Sequence, residues 1–504
     1  MTRILRSAAG AVVVGLITGW TTLALASGTV PCSDPAEVIT IPDTQLRDVI
    51  QAELGLENGD ITCAAMARIR TIRADTTGVS NLDGLQHAVN LGRLDARANA
   101  ITDLSPLAGL TRLTQLYLRD NPIRDLEPLR ALTTLTRLEL RRNEVADLGP
   151  LAGLTALRTL DLRDNAIEDL RPLQGLTSLR ELRLHNNRVA SAAPLASLTG
   201  LTLLGLDGNL LTSGDGLGML VNLTTLTVRS NELTDLNFVF LLTNLRELDA
   251  RSNQLGQVVA LRGLTSLETL RLGRNQITDV RALGDLTAVR LLDLERNAIT
   301  SIVPLAGLTE LVDLNLARNA IGDVRALANM TSLEVLNLNR NQVADLTPLA
   351  GLTNLQRLDL GRNEVADLTP LAAMQQLDRL VLDGNDIVDL GPLARATELT
   401  ILNLGNNDIQ DVSPLAGLTL LEVLDLQRNV IEDLRPLVSL RALRELGLAR
   451  NRVRDLTPLD ALTALESLTL ERNCLLLEGT TEARITRWLA AGVTVSYDEQ
   501  ASCD

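Results

Sequence analysis

Arginine is the residue with the most chemical potential in this 504-residue chain: all 47 basic residues are arginines, set against 62 acidic ones. One series recurs every 22 residues, as Arg97, Arg119, Arg141 and Arg163, then His185, then Arg229 and Arg251, with Asp207 breaking the sign. A guanidinium offers a planar fork of donors that pairs with carboxylates, so such a row could form a cationic track for an acidic protein or polysaccharide. Asp95, Glu139, Asp161 and Asp249 stand two residues before Arg97, Arg141, Arg163 and Arg251. On a strand, residues two apart share a face, and the competing reading is that the row neutralises itself. Further along, the arginines move one position, to Arg274, Arg296, Arg318, Arg340 and Arg362, then Arg428, Arg450 and Arg472.

Other chemistries have little material. Two histidines, His87 and His185, and four cysteines do not furnish a multi-ligand zinc site or a histidine-dependent triad. The expectation is no enzyme, no metal and no cofactor. A net charge of −15 without a basic tail opposes binding to nucleic acid or to an anionic membrane. Tyr117 is the one aromatic in line with the arginine row, which matters because aromatics anchor most protein interfaces. Leu291, Val335, Val381, Ile401 and Val423 could form a modest aliphatic patch on the same face.

These residues are positioned by a repeat. Asparagine recurs with a period of 22 at Asn99, Asn121, Asn143, Asn165, Asn187, Asn209, Asn231, Asn253, Asn275, Asn297, Asn319, Asn341, Asn363, Asn385, Asn407, Asn429, Asn451 and Asn473. In a typical unit Leu160 and Leu162 alternate with Thr159, Asp161 and Arg163, the pattern of a short strand with leucines inward. Asn165 then ends the strand, where an amide can satisfy backbone groups of adjacent turns. Aspartate follows four residues after the asparagine in thirteen of eighteen units and proline seven after in twelve, which predicts a capped turn into a 3₁₀ segment on the outer side. A calcium reading of these aspartates finds no clustered acidic loop. One unit cannot bury enough aliphatic surface to offset ordering its backbone. The units must stack into a solenoid, with strands lining one curved face over roughly 85 Å at about 4.8 Å per strand.

Both ends of such a stack need covers. Residues 1–26 read as a cleaved signal peptide: Arg3 and Arg6, an apolar run, and Ala24-Leu25-Ala26 before Ser27. Residues 27–68 form the expected N-terminal helical cap, with a stripe of Leu46, Val49, Ile50 and Leu54 after Asp43 and a shorter helix from Thr62. A degenerate first repeat spans 69–90, with Thr77 in the asparagine position; about eighteen repeats span 91–480; and 481–504 close the stack. There Thr481 is expected to cap a helix with Ile485, Trp488 and Leu489 on one face, followed by a strand through Val493, Val495 and Tyr497. Trp488 is expected to cover the last leucine row rather than to anchor a ligand. Cys32 and Cys63 lie in one cover and Cys474 and Cys503 in the other, so only the pairings within each cover can close in a monomer.

The repeat, the cover from Ile41-Pro42-Asp43 to Leu54 and the run from Gly78 to Leu85 resemble the internalin-type leucine-rich repeat proteins of bacteria over about residues 38–480. The resemblance implies an α/β fold, a right-handed horseshoe with a parallel concave sheet, an irregular or 3₁₀ convex side and helical caps. It also implies a secreted or surface-exposed scaffold whose concave sheet grips a protein. The internalin wall-sorting signal and immunoglobulin-like domain have no counterpart here, so a host-invasion role does not transfer. The expected protein is an exported monomer, secreted or periplasmic and without a membrane span after cleavage, binding a protein ligand. The alternative is an envelope component binding acidic glycans through the arginines.

Overall fold

The computed structural model describes residues 32, 34–57 and 59–500. The expected signal peptide and Cys503 lie outside them. Twenty three-residue strands, from Thr71–Arg73 to Thr494–Ser496, form one parallel sheet among the described residues. Each strand pairs with its successor one unit on, as Thr159–Asp161 does with Glu181–Arg183, while the last pairing sets Ser467 opposite Thr494. The sheet does not close. Short 3₁₀ segments return the chain along the opposite side, and among the described residues no helix is long and apolar enough to cross a membrane.

Each coil contributes the same aliphatic set. In the unit of Asn165 these are Leu157, Leu160, Leu162, Ile167, Leu170, Leu173 and Leu176, all at 0–1% exposure, and they join one core cluster that runs the length of the stack. Aromatic rings are nearly absent because a 22-residue coil leaves room for one aliphatic side chain per position. Trp488, 6% exposed, caps the last leucine row.

The asparagines bind the coils together. In all eighteen the Nδ2 group donates to the carbonyl 25 residues upstream, at 2.6–3.1 Å, so each amide spans two coils. For Asn253, Nδ2 also donates to Ala250 at 3.1 Å, and Oδ1 accepts from the Leu233 amide at 3.0 Å. The residue just before each asparagine adopts left-handed backbone geometry, with Arg142, Asp164, Arg274 and Arg340 at φ between 52° and 59°. Every arginine of the second series sits at this position. An L-residue there carries about 1–2 kcal/mol of strain, yet only Gly208 and Gly384 supply glycine among the units with a ladder asparagine.

On the outer side all thirteen aspartates accept a hydrogen bond from the amide two residues on, at 2.8–2.9 Å. They stand one residue before the formal cap position, so the turn is an Asx turn feeding the first 3₁₀ amide. Arg171, Arg281, Arg325 and Arg435 fold back on these carboxylates.

At the N-terminal end, helix α1 (Thr44–Leu54) is capped by Asp43, whose other carboxylate oxygen accepts from the Ser80 and Asn81 amides. One side chain thus locks the cover to the first coil. Helix α2 (Cys63–Met66) carries Cys63, bonded to Cys32. At the C-terminal end, helix α3 spans Thr480–Ala490 with Gly479 at its cap. The expected cap, Thr481, lies inside the helix, and Leu489, placed on the inner face by the sequence reading, is 46% exposed. Leu489, four residues past Ile485, keeps to the same side of the helix but at its edge, and only Ile485 and Trp488 reach the core there. Arg484 and Arg487 instead tie α3 to Asp460 of the last coil.

Asn253→Ala should destabilise the protein by about 2–4 kcal/mol in chemical denaturation, because several buried backbone groups lose their partner together; an unchanged midpoint would show that the ladder does not hold the coils. Arg340→Gly should be near neutral, since relief of about 1 kcal/mol of strain is offset by about 0.5–1 kcal/mol of chain entropy. Arg340→Val, β-branched at positive φ, should lie about 1–2 kcal/mol below Arg340→Gly in a paired melting comparison.

Candidate recognition surface

Three positions of each coil face the concavity: those six, four and two residues before the asparagine, exemplified by Thr159, Asp161 and Arg163. The leucines between them point inward, so strand alternation alone sets this surface. Its two halves differ in chemistry.

In the first half the arginine row is extensively paired. Arg97 meets Asp95 at 2.5 Å, Arg163 meets Asp161 at 2.5 Å and Arg251 meets Asp249 at 2.6 Å. These three aspartates are 3, 4 and 6% exposed beneath their arginines. Hydrogen bonding to Asp161 pushes the Arg163 guanidinium above its ordinary pKa, so it remains charged. The fourth sequence pairing is not formed: Glu139 binds Arg137 at 2.7 Å, and Arg141 reaches Asp164 of the next coil at 2.9 Å. Arg119 approaches Asp120 at 3.7 Å, and Arg229 has no ion pair among the described residues.

Tyr117 is 9% exposed. The Arg93 guanidinium stacks over its ring at 4.3 Å, with those of Arg97 and Arg137 at 5.9 and 5.7 Å. This ring holds arginines in place and presents little of itself. His185 leans over Gly205 and pairs with Asp207 at 3.2 Å, and Asp207 also accepts from the Arg229 amide. His87 contacts Cys32, a disulfide partner, at 3.2 Å. The two histidines therefore sit in separate parts of the molecule.

The second half is recessed. A cavity of about 650 Å³ lies on the sheet between the coils of Asn341 and Asn473, and Val381, Ile401 and Val423 of the aliphatic patch line it. Val335 stands two strands before Val381 and Leu291 two strands further back, both half-buried and outside the lining. The recess arises because the position two before the asparagine, arginine in the first half, becomes Asn339, Gly361, Asp383, Gly405, Gln427 and Ala449. A Cβ on Gly361 would lie 2.5 Å from Asp383 Oδ1 and 3.3 Å from Asp359 Oδ1, and one on Gly447 would lie 2.6 Å from Asp425 Oδ1. The glycines leave the space into which the carboxylates lean.

These acids are held differently from those of the first half. Asp359 accepts from the Asn339 side chain at 3.1 Å and the Gly361 amide at 3.0 Å, and Asp425 accepts from the Gln427 amide at 2.9 Å. Burial raises the pKa of both above the ordinary carboxylate value, outweighing those bonds. Asp293 and Asp313, nearer the middle of the arc, are raised by burial as well. Sequence reading passed over Asp359, Asp383 and Asp425, although the loss of arginine from one register position was the signal that would have found them.

The family model described as leucine-rich repeats in two copies matches residues 89–131, 133–175, 155–197, 243–285, 331–373 and 397–439. Among solved structures, an internalin from Listeria monocytogenes shares 27% identity over 77% of this chain and 96% of its own, with a TM-score of 0.48. A leucine-rich repeat protein of Leptospira interrogans shares 24% over 86% and 97%, with a TM-score of 0.54. The leucine-rich repeat ectodomain of the Arabidopsis receptor kinase HAESA, in complex with a peptide hormone ligand, shares 19% over 85% and 90%, with a TM-score of 0.53. No curated protein sequence matches the chain.

A carboxyl whose folded pKa lies above its unfolded value favours the fold most at low pH, and that contribution is lost as pH rises through the folded pKa. Asp359→Asn and Asp425→Asn should therefore raise the melting temperature at pH 7, with the gain vanishing below the ordinary carboxylate pKa of 3.8. A lower melting temperature at pH 7 would show that the charged forms support the fold.

Proposed function

We propose, from the premise that this chain is a leucine-rich repeat protein whose 22-residue unit is internalin-like, that it is an exported, non-enzymatic scaffold holding a protein ligand in its concave sheet. One observation carries this reading. Asparagines, leucines and outer turns repeat from coil to coil, whereas the concave positions six and four before the asparagine change in size, charge and polarity at nearly every step, and the position two before it passes from arginine in the first half to small, amide and acidic residues in the second. A surface that varies on an otherwise uniform support is where binding can be specified without loss of the fold.

A peptide held by the leucine-rich repeat ectodomain of a receptor kinase gives this fold a precedent for such a use. The signal-like residues 1–26 and the Cys32–Cys63 disulfide favour export, since disulfides persist in oxidising compartments. The internalin-like repeat supports reading the protein as bacterial and as secreted or periplasmic, and we propose that it acts as a monomer. The glycan alternative needs open arginines, and Arg97, Arg163 and Arg251 are each occupied by a buried aspartate. That leaves Arg119 and Arg229 as the more accessible members of the first row, so a charged track would have to run along the exposed second series from Arg274 to Arg472.

The test is capture from the native extracellular or periplasmic fraction by the full mature chain and by two variants. Changing Arg119 and Arg229 to glutamate together with Ile401 and Val423 to arginine should abolish capture. Changing Arg281 and Arg325 on the outer side to alanine should leave it intact. The reverse pattern would place the binding surface elsewhere. Capture that persists at about 0.5 M salt, where the screening length falls to several ångströms, agrees with a protein ligand, whereas loss there supports the glycan alternative.

A further inference from the structure

We propose that the recess in the second half of the concave sheet is built for an extended protein segment presenting one arginine or lysine beside an aliphatic residue. The cation seats among Asp359, Asp383 and Asp425, and the aliphatic group lies against Val381, Ile401 and Val423. The inference rests on the concave-face reading above and adds to it the location and the chemistry of the partner.

Charge complementarity commits the recess to a cation. In the first half each buried concave aspartate carries its own arginine, as Asp95, Asp161 and Asp249 do. In the recess Asp359 and Asp425 are held by amides and N–H groups, which position a carboxylate without neutralising it. Asp383 has only Arg362, at 3.6 Å. Two of these carboxylates converge over Gly361, where a side chain of this chain would otherwise fill the space. Asp359 and Asp425 make no ion pair among the described residues, Arg379 reaching Asp359 only through longer-range attraction, and acids so placed in a partly desolvated recess attract a cation more strongly than acids on an open surface, in line with their burial-raised pKa values.

The lining also limits what kind of cation fits. Arg340 and Arg362 stand on one rim and Arg379 on the other side, so a polybasic stretch would be repelled while a single cation passes between them. Ile401 and Val423 stand opposite one another on adjacent strands about 5 Å apart, with Val381 one strand back and two residues further along, a patch that suits one aliphatic side chain of an extended segment. At the far end of the recess the Thr469 hydroxyl is buried without a hydrogen-bond partner.

The probe is a random heptapeptide library displayed on phage and selected on the immobilised full mature chain. Enriched sequences should carry arginine or lysine next to valine, isoleucine or leucine. Synthetic versions should lose at least tenfold in affinity for the Asp383→Asn, Asp425→Asn double variant, whose melting temperature serves as the folding control. Replacing the peptide's cation by glutamine should cost as much with the unaltered chain. Enrichment of acidic peptides sensitive to Arg119→Glu and Arg229→Glu would overturn this inference while leaving the concave-face reading standing. Peptides insensitive to both sets of substitutions would overturn both, and a library yielding no enriched sequence would overturn the cationic recess alone.

Discussion

Parallel stacking at a fixed period of 22 residues is the constraint from which the rest of the molecule follows, and the asparagine amide is what enforces it. Where the strand ends, the chain turns into the interior and leaves carbonyls and N–H groups that water cannot reach. A side chain with two donors and two acceptor sites settles them across adjacent coils at once. The turn that brings the amide inward requires a left-handed residue just before it, and the protein accepts arginine or serine there without insisting on glycine. Local strain is tolerated because several buried hydrogen bonds depend on the same turn. A one-residue insertion in any coil would swing the leucines outward and break the ladder together, so the period cannot drift.

A fixed period confines chemical freedom to three concave positions and to the outer turns. The two halves of the concavity use that freedom in opposite ways. In the first, arginine over buried aspartate builds a filled, internally paired surface in which Tyr117 lies beneath guanidinium groups. In the second, arginine is replaced by glycine, alanine and amide residues, so the same backbone yields a recess with acids on its floor. Maintaining burial-raised carboxylates opposes folding at neutral pH, whereas asparagine at the same sites would keep most of the geometry. Groups retained against their own contribution to stability are the ones to associate with recognition.

The fold was legible because each of its causes repeats. Eighteen asparagines in phase specify the coil, the leucine spacing specifies the inward face, and the aspartate and proline positions specify the outer turn. Trp488 and Asp43 were readable as cover residues because helical spacing and cap chemistry are local. Where contacts pass between coils the sequence was silent. It paired Glu139 with Arg141 along one strand, yet Glu139 turns to Arg137 and Arg141 crosses to Asp164, since neighbouring strands bring a partner as close as the same strand does. The left-handed position of the second arginine series left only a weak compositional trace, because glycine, asparagine or aspartate fills it in six of the eighteen units and arginine, serine or alanine in the rest. The recess was hidden for a related reason: glycine, alanine and valine draw no attention singly, and their effect appears only when adjacent coils place them side by side.

The outer face near residues 209–260 departs from the turn sequence of the other coils. There Gly216, Phe238 and Ala260 stand where proline stands in most coils, and Ser213 and Gln257 stand where aspartate does. Phe238 packs partly into the core above Gly214, whose missing side chain makes the room, so one phenylalanine replaces the bulk that the proline turn supplies elsewhere. Phe240 does not share that role: it remains 62% exposed, beside Leu241 at 58% and one coil from Met219 at 59%. That coil keeps its Asx turn, Asp235 accepting from the Asn237 amide at 2.9 Å, and five-residue 3₁₀ segments occur in proline-bearing coils too, as at Gly391–Arg395, so what reaches water here is set by the residues that fill Asn237–Leu241 and not by a lost turn.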